Sequence, residues 1–106
     1  MTIRVAVCYG RPEDPAAFDD YYERVHIPLA SKVPGLTGYT YSKAGSLDGS
    51  EPPYYSVASL YFPDAETLQA GLTSPEMGAA AADVPNFATG GATLFTHEEV
   101  SVLDGS

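Results

Sequence analysis

Cationic side chains are scarce in this chain. Its 106 residues include 5 Lys plus Arg against 14 Asp plus Glu, for a net charge of −9. A net anion gains nothing by approaching a polyanion, which counts against nucleic acid and anionic membrane as partners. Cys8 is the lone cysteine, so neither an intrachain disulfide nor a cysteine-based zinc cluster is available. Flanked by strand-forming residues, it reads as a small buried hydrophobe. No run of about 18 apolar residues occurs, so no membrane-spanning helix is expected. The stretch from Met1 to Tyr9 is too short and too alternating for a signal peptide, and the expected location is cytoplasmic. Also missing are a GxSxG elbow and a dinucleotide fingerprint, and Gly90-Gly91 is followed by neither a lysine nor a helix, so it is no phosphate loop. These absences leave cofactor-free proton transfer, or no catalysis at all.

What is present suits one small globular domain over residues 1–106. The hydrophobic content is 44%, enough for a modest core. Thr2 to Tyr9 alternates, with Ile3, Val5, Val7 and Tyr9 on one side, and predicts a strand. Asp14-Pro15 reads as a helix cap followed by proline in the first turn. Phe18, Tyr22, Val25 and Leu29 then fall on one helical stripe. Pro28 should break or kink that helix near His26–Ile27. Strands are expected at Leu36–Ser42, Tyr54–Phe62 and Ala92–Leu103. Between the last two, helices capped by Asp64 and Ser74 end near Gly71 and Phe87. The order β, α, β, β, α, β predicts an α+β, ferredoxin-like fold with a four-stranded antiparallel sheet. Strands one and three look apolar on both faces, while helices cover only one. A second copy is the cheapest cover for the other face, so a homodimer through the sheet faces is expected, a dimeric α+β barrel.

His26 is the side chain with the most chemistry. It follows Tyr22 by four residues and Asp19 by seven, so on a regular helix all three share a face. An imidazole beside a tyrosine and a carboxylate suits proton transfer near neutral pH, with Asp19 and Tyr22 as orienting groups. The same histidine also fits a plain structural role, capping the last carbonyls of its helix. Aromatic content leans to tyrosine, with 8 Tyr, 4 Phe and no Trp. Tyr39, Tyr41, Tyr55 and Tyr61 lie on expected strands and would give a hydrophobic small-molecule ligand an apolar pocket with polar tips. They serve equally as ordinary core. His97, Glu98 and Glu99 lack ligand spacing, since neighbours on a strand point to opposite faces, and no metal is expected.

The pattern Phe18-Asp19-x-Tyr21-Tyr22-x-x-x-His26-x-Pro28-Leu29, followed by Val33-Pro34-Gly35-Leu36 and a tyrosine-rich strand, resembles the EthD family of the dimeric α+β-barrel superfamily. The resemblance covers essentially the whole chain. It implies a ferredoxin-like protomer, dimerisation through the sheets, and a pocket between sheet and first helix. Some members are linked to ethyl tert-butyl ether degradation. Others are cofactor-independent enzymes acting on lactones or aromatic polyketides, among them methylmuconolactone methylisomerase. By that resemblance His26 and Tyr39 match the implicated histidine and tyrosine. The cysteine of the isomerase group has no counterpart beyond Cys8 in the first strand. The function expected is a cofactor-independent lyase or isomerase of a small oxygenated metabolite. The alternatives are a cofactor-free monooxygenase of phenols and a non-catalytic small-molecule-binding accessory protein.

Overall fold

The computed structural model describes residues 2–103. Four strands form one antiparallel sheet: β1 (Thr2–Tyr9), β2 (Gly38–Lys43), β3 (Ser56–Phe62) and β4 (Ala92–Glu99), in the spatial order β2-β3-β1-β4. The helices are α1 (Pro15–Tyr21), α2 (Ile27–Ala30), α3 (Ala65–Leu72) and α4 (Pro75–Asp83). This is the expected ferredoxin-like arrangement. β1 takes an inner position because it alternates cleanly and can pair on both edges. Val5 sits opposite Leu60 on one side and Thr96 on the other.

Local chemistry explains the element ends. Asp14, Asp64 and Ser74 each cap a helix by accepting from the backbone N–H three residues on, at 3.1, 2.7 and 3.1 Å. Each such cap is worth about 1 kcal/mol. Three strands are shorter than the alternation predicts, and β2 is also displaced, running over Gly38–Lys43 rather than Leu36–Ser42. β4 stops at Glu99 rather than Leu103 because its partner runs out, Glu99 lying opposite Thr2. β3 starts at Ser56, although the Tyr55 N–H already donates to the Tyr9 carbonyl at 2.8 Å. Pro85 ends α4 at Asp83, and a single 3₁₀ turn follows over Val84–Asn86.

Near His26–Ile27, where Pro28 was expected to break or kink the first helix, the helix changes its winding rather than ending. A π turn spans Tyr22–His26, with the Ile27 N–H reaching back five residues to the Tyr22 carbonyl. The chain then continues as α2 to Ala30. Proline has no N–H for the carbonyl four residues earlier, and its ring crowds that carbonyl; a widened turn accommodates both without ending the helix.

The core lies between the helices and one sheet face. It contains Val5, Val7 and Tyr9 of β1, Phe18 and Tyr22 of the first helix, Ala58, Leu60 and Phe62 of β3, and Phe87. At one end of the sheet two backbones cross at glycines. A Cβ on Gly10 would stand 2.3 Å from the Gly90 carbonyl oxygen, so neither position has room for a side chain. The helix-free face is less greasy than its alternation implies. At its centre Arg4 donates to Ser59 Oγ at 2.7 Å and to His97 Nε2 at 2.9 Å. Ala6, Cys8 and Ser59 are buried there, while Phe95 on the edge strand is 50% exposed.

Candidate active site

A small cavity of about 80 Å³ opens between the sheet and the helices. Its walls are almost wholly hydrocarbon, from Val5, Val7, Leu60, Met77, Val84 and Leu94 among others. The polar groups on it are His26, Tyr9, Tyr22 and Tyr39. A dry wall with a few convergent polar atoms is the usual form of a small-molecule site.

His26 is 5% exposed. Its ring packs against Tyr22 and Phe87, with centroids 5.2 and 4.7 Å away. Nδ1 lies 3.0 Å from Oδ2 of Asp83. The other oxygen of that carboxylate accepts from Tyr21 Oη at 2.5 Å and from Asn86 Nδ2 at 3.1 Å. Burial pushes the Asp83 carboxyl up, but the hydrogen bonds from Tyr21, His26 and Asn86 outweigh it and hold the group below its ordinary value. Asp83 is therefore an ionised acceptor. When the imidazole carries a single hydrogen, this acceptor favours it on Nδ1 and leaves the lone pair on Nε2.

Tyr22 Oη and Tyr39 Oη share a hydrogen bond of 2.6 Å. Burial is the first cause raising both phenols above the ordinary tyrosine value; the shared bond raises Tyr22 further and partly offsets the rise at Tyr39. Tyr9 and Tyr41 are raised as well, again chiefly by burial. All four stay uncharged at neutral pH and act as hydroxyl groups, not phenolates. Tyr41 stacks on Tyr22 with centroids 4.1 Å apart, which fixes the ring that carries the shared bond.

The expected site residues divide into three groups. His26, Tyr22 and Tyr39 come together on the cavity, with Tyr41 behind Tyr22. Asp19 and Tyr55 form a separate cluster with Lys43: Asp19 accepts from Lys43 Nζ at 2.8 Å and from Tyr55 Oη at 2.9 Å. Asp19 thus does not orient the imidazole. The π turn between it and His26 advances each residue through a smaller angle than an α-helix does, so the shared face is lost. Tyr61 lies on the helix-free side of the sheet: it pairs with Arg4, whereas its neighbours Leu60 and Phe62 pair with the core-facing Val5 and Ile3. A wider, open cleft of about 620 Å³ lies between Arg11, Lys43 and residues 51–55, outside the His26 cavity. Among the described residues, no three His, Cys, Asp or Glu side chains gather as a metal site. No described helix is long and apolar enough to cross a membrane.

Residues 11–91 match the EthD domain as a family profile. This chain belongs to the EthD family. An uncharacterized 11.0 kDa protein from the thcB-thcC intergenic region of Rhodococcus erythropolis is 46% identical to it over 100 residues, covering 94% of this chain and 97% of the relative. The crystal structure of an ethyl tert-butyl ether degradation (EthD) family protein of Bacillus halodurans superposes with a TM-score of 0.87 at 35% identity, over 94% of this chain and all of that one. Two more distant structures share the fold alone. One is a dimeric ferredoxin-like protein of unknown function from Jannaschia, with a TM-score of 0.70 and 19% identity over 93% and 100% of the two chains. The other is SnoaB, a cofactor-independent oxygenase of Streptomyces nogalater, at 0.67 and 14% over 97% and 96%.

Sequence reasoning missed Asp83 in this EthD chain, together with its partners Tyr21 and Asn86. Asp83 sits 57 residues from His26, at the end of a helix whose alanine run drew no attention. The one signal available was an acidic side chain in that helix's apolar last turn, next to Val84 and ahead of Pro85.

Proposed function

We propose that this EthD-family protein is a homodimeric acid/base catalyst that enolises and isomerises a small, mostly hydrocarbon carbonyl compound. The reading is carried by one observation: the His26–Asp83 hydrogen bond lies beside the Tyr22–Tyr39 pair on the wall of an apolar cavity. His26 Nε2 takes a proton from the carbon next to the carbonyl. The C–H electron pair becomes a carbon–carbon double bond, and the negative charge moves to oxygen, where the Tyr39 hydroxyl meets it. Where the enolate is conjugated to a second carbon–carbon double bond, Nε2 then returns the proton to the far carbon of that system, so the double bond shifts and the isomerisation is complete. Loss of a leaving group β to the carbonyl from the same enolate would make the reaction a lyase step. Positioned proton transfer of this kind contributes about 10²–10⁴-fold.

The half-exposed Phe95 and the helix-free sheet around it support association through that face, and the Jannaschia protein of the same fold is dimeric. Burying such a patch against its own copy is self-complementary under two-fold symmetry.

Deuterium entering cyclohexanone in heavy water, followed by mass spectrometry, tests the chemistry. The protein accelerates exchange beyond buffer, and His26→Gln removes the acceleration. Equal rates for the two proteins overturn the mechanism. Consumption of dissolved oxygen on addition of a phenol would replace it with the oxygenase chemistry of the Streptomyces nogalater relative. Binding without exchange or oxygen uptake would mark a carrier.

A further inference from the structure

The charge and hydrogen-bond inventory of the cavity goes further than its shape. All 5 lysine and arginine side chains of the chain stand elsewhere. Arg4 is engaged with Ser59 and His97 on the helix-free face, Arg24 pairs with Asp20, and Lys43 pairs with Asp19. Arg11 lies over Tyr55, and Lys32 follows α2 outside the lining. Behind the cavity wall, the ionised Asp83 places a negative charge against the far side of His26.

Donors and acceptors can be counted in the same way. The two hydroxyls of Tyr22 and Tyr39 carry two hydrogens, and their mutual bond uses one. The other is left to donate. Tyr9 adds a further uncharged hydroxyl to the wall. An imidazole with one hydrogen donates it from Nδ1 to Asp83 across 3.0 Å and so presents a lone pair on Nε2 to the cavity. The site thus offers neutral donors on one side and a base on the other, with no lysine or arginine among its described lining residues.

Resting on the acid/base reading above, we infer that the His26 cavity takes an uncharged carbonyl compound with one accepting oxygen and one removable hydrogen, and rejects carboxylates. A ketone, lactone or ester supplies both features: its oxygen meets the tyrosine hydroxyl and its adjacent C–H faces Nε2. A carboxylate supplies only acceptors. It would bury a charge without a counter-ion, opposite a lone pair and near a second carboxylate. Discrimination comes from the absence of a cation as much as from any contact.

The test is an NMR titration of the isotope-labelled full chain at pH 8 with cyclohexanone and, separately, with cyclohexanecarboxylate. The rings are alike, and only the carboxylate carries a charge. The ketone is expected to shift the signals of His26, Tyr39 and Val84, with the carboxylate binding there roughly 100-fold more weakly. A carboxylate weaker by more than tenfold upholds the inference. One that binds the same residues within tenfold of the ketone overturns it, while leaving the base and its cavity in place. Failure of both probes to move these residues overturns the inference and the ligand site together.

Discussion

His26 and Asp83 stand 57 residues apart in sequence and 3.0 Å apart in space. The histidine comes from the π turn in the first helix and the aspartate from the last turn of α4, so the pair also ties two helices together. Both oxygens of the carboxylate are engaged: Tyr21 and Asn86 occupy the one that His26 does not. A buried carboxylate with three donors is both a support for the fold and a rudder for the imidazole.

Replacing Asp83 separates those two roles. Asp83→Asn keeps the shape but presents an amide to Nδ1, which no longer fixes the hydrogen there. The exchange rate is expected to fall by about 10²-fold or more, with the ketone still bound. An unchanged rate at unchanged affinity would show that Asp83 does not position the base.

The same residue sets an acid limb of stability. Its folded carboxyl titrates below the ordinary aspartate value. The contribution is therefore complete above the unfolded-state value, about 3.9, and is lost as pH falls through the lower folded value. Urea midpoints compared between wild type and Asp83→Asn should differ most at neutral pH and converge toward pH 2. A gap that widens on acidification contradicts the assigned direction.

Tyr39→Phe deletes one half of the hydroxyl pair and leaves the Tyr22 hydroxyl without its partner. Stability should drop by about 1 kcal/mol, and exchange by about 10–100-fold, since a donor to the developing oxyanion is gone. Thermal unfolding and the deuterium assay check the two numbers separately. Tyr61→Phe, on the opposite sheet face, should leave exchange unchanged.

The proposed dimer makes its own prediction. Phe95→Glu places a charge on the half-exposed edge of the helix-free face. Sedimentation should show wild type as a dimer at micromolar concentration and the variant as a folded monomer. A monomeric wild type contradicts the sheet-face association.

Much of the fold was legible in the residues, because local rules set it. The alternation of β1 and the caps at Asp14, Asp64 and Ser74 each act within a few positions. The site was legible only in part. His26, Tyr22 and Tyr39 were singled out, yet Asp19 was paired with His26 on the assumption of a regular helix, which the π turn over Tyr22–His26 removes. Tyr61 was assigned to the pocket because β3 carries large apolar groups on both faces, so its alternation does not say which face meets the helices. The pairing of Leu60 with Val5 decides that, and such register is a property of two strands. Asp83 was missed for a related reason. Nothing local marks a residue whose partner arrives from another helix.

The claim underlying the proposed chemistry is that Asp83 leaves a bare lone pair on His26 Nε2. Nitrogen NMR of the imidazole at pH 8, where an ordinary imidazole is neutral, reads this directly. The account predicts hydrogen on Nδ1 and a Nε2 resonance that moves when cyclohexanone is added. Hydrogen found on Nε2, or a Nε2 signal indifferent to the ketone, would contradict it.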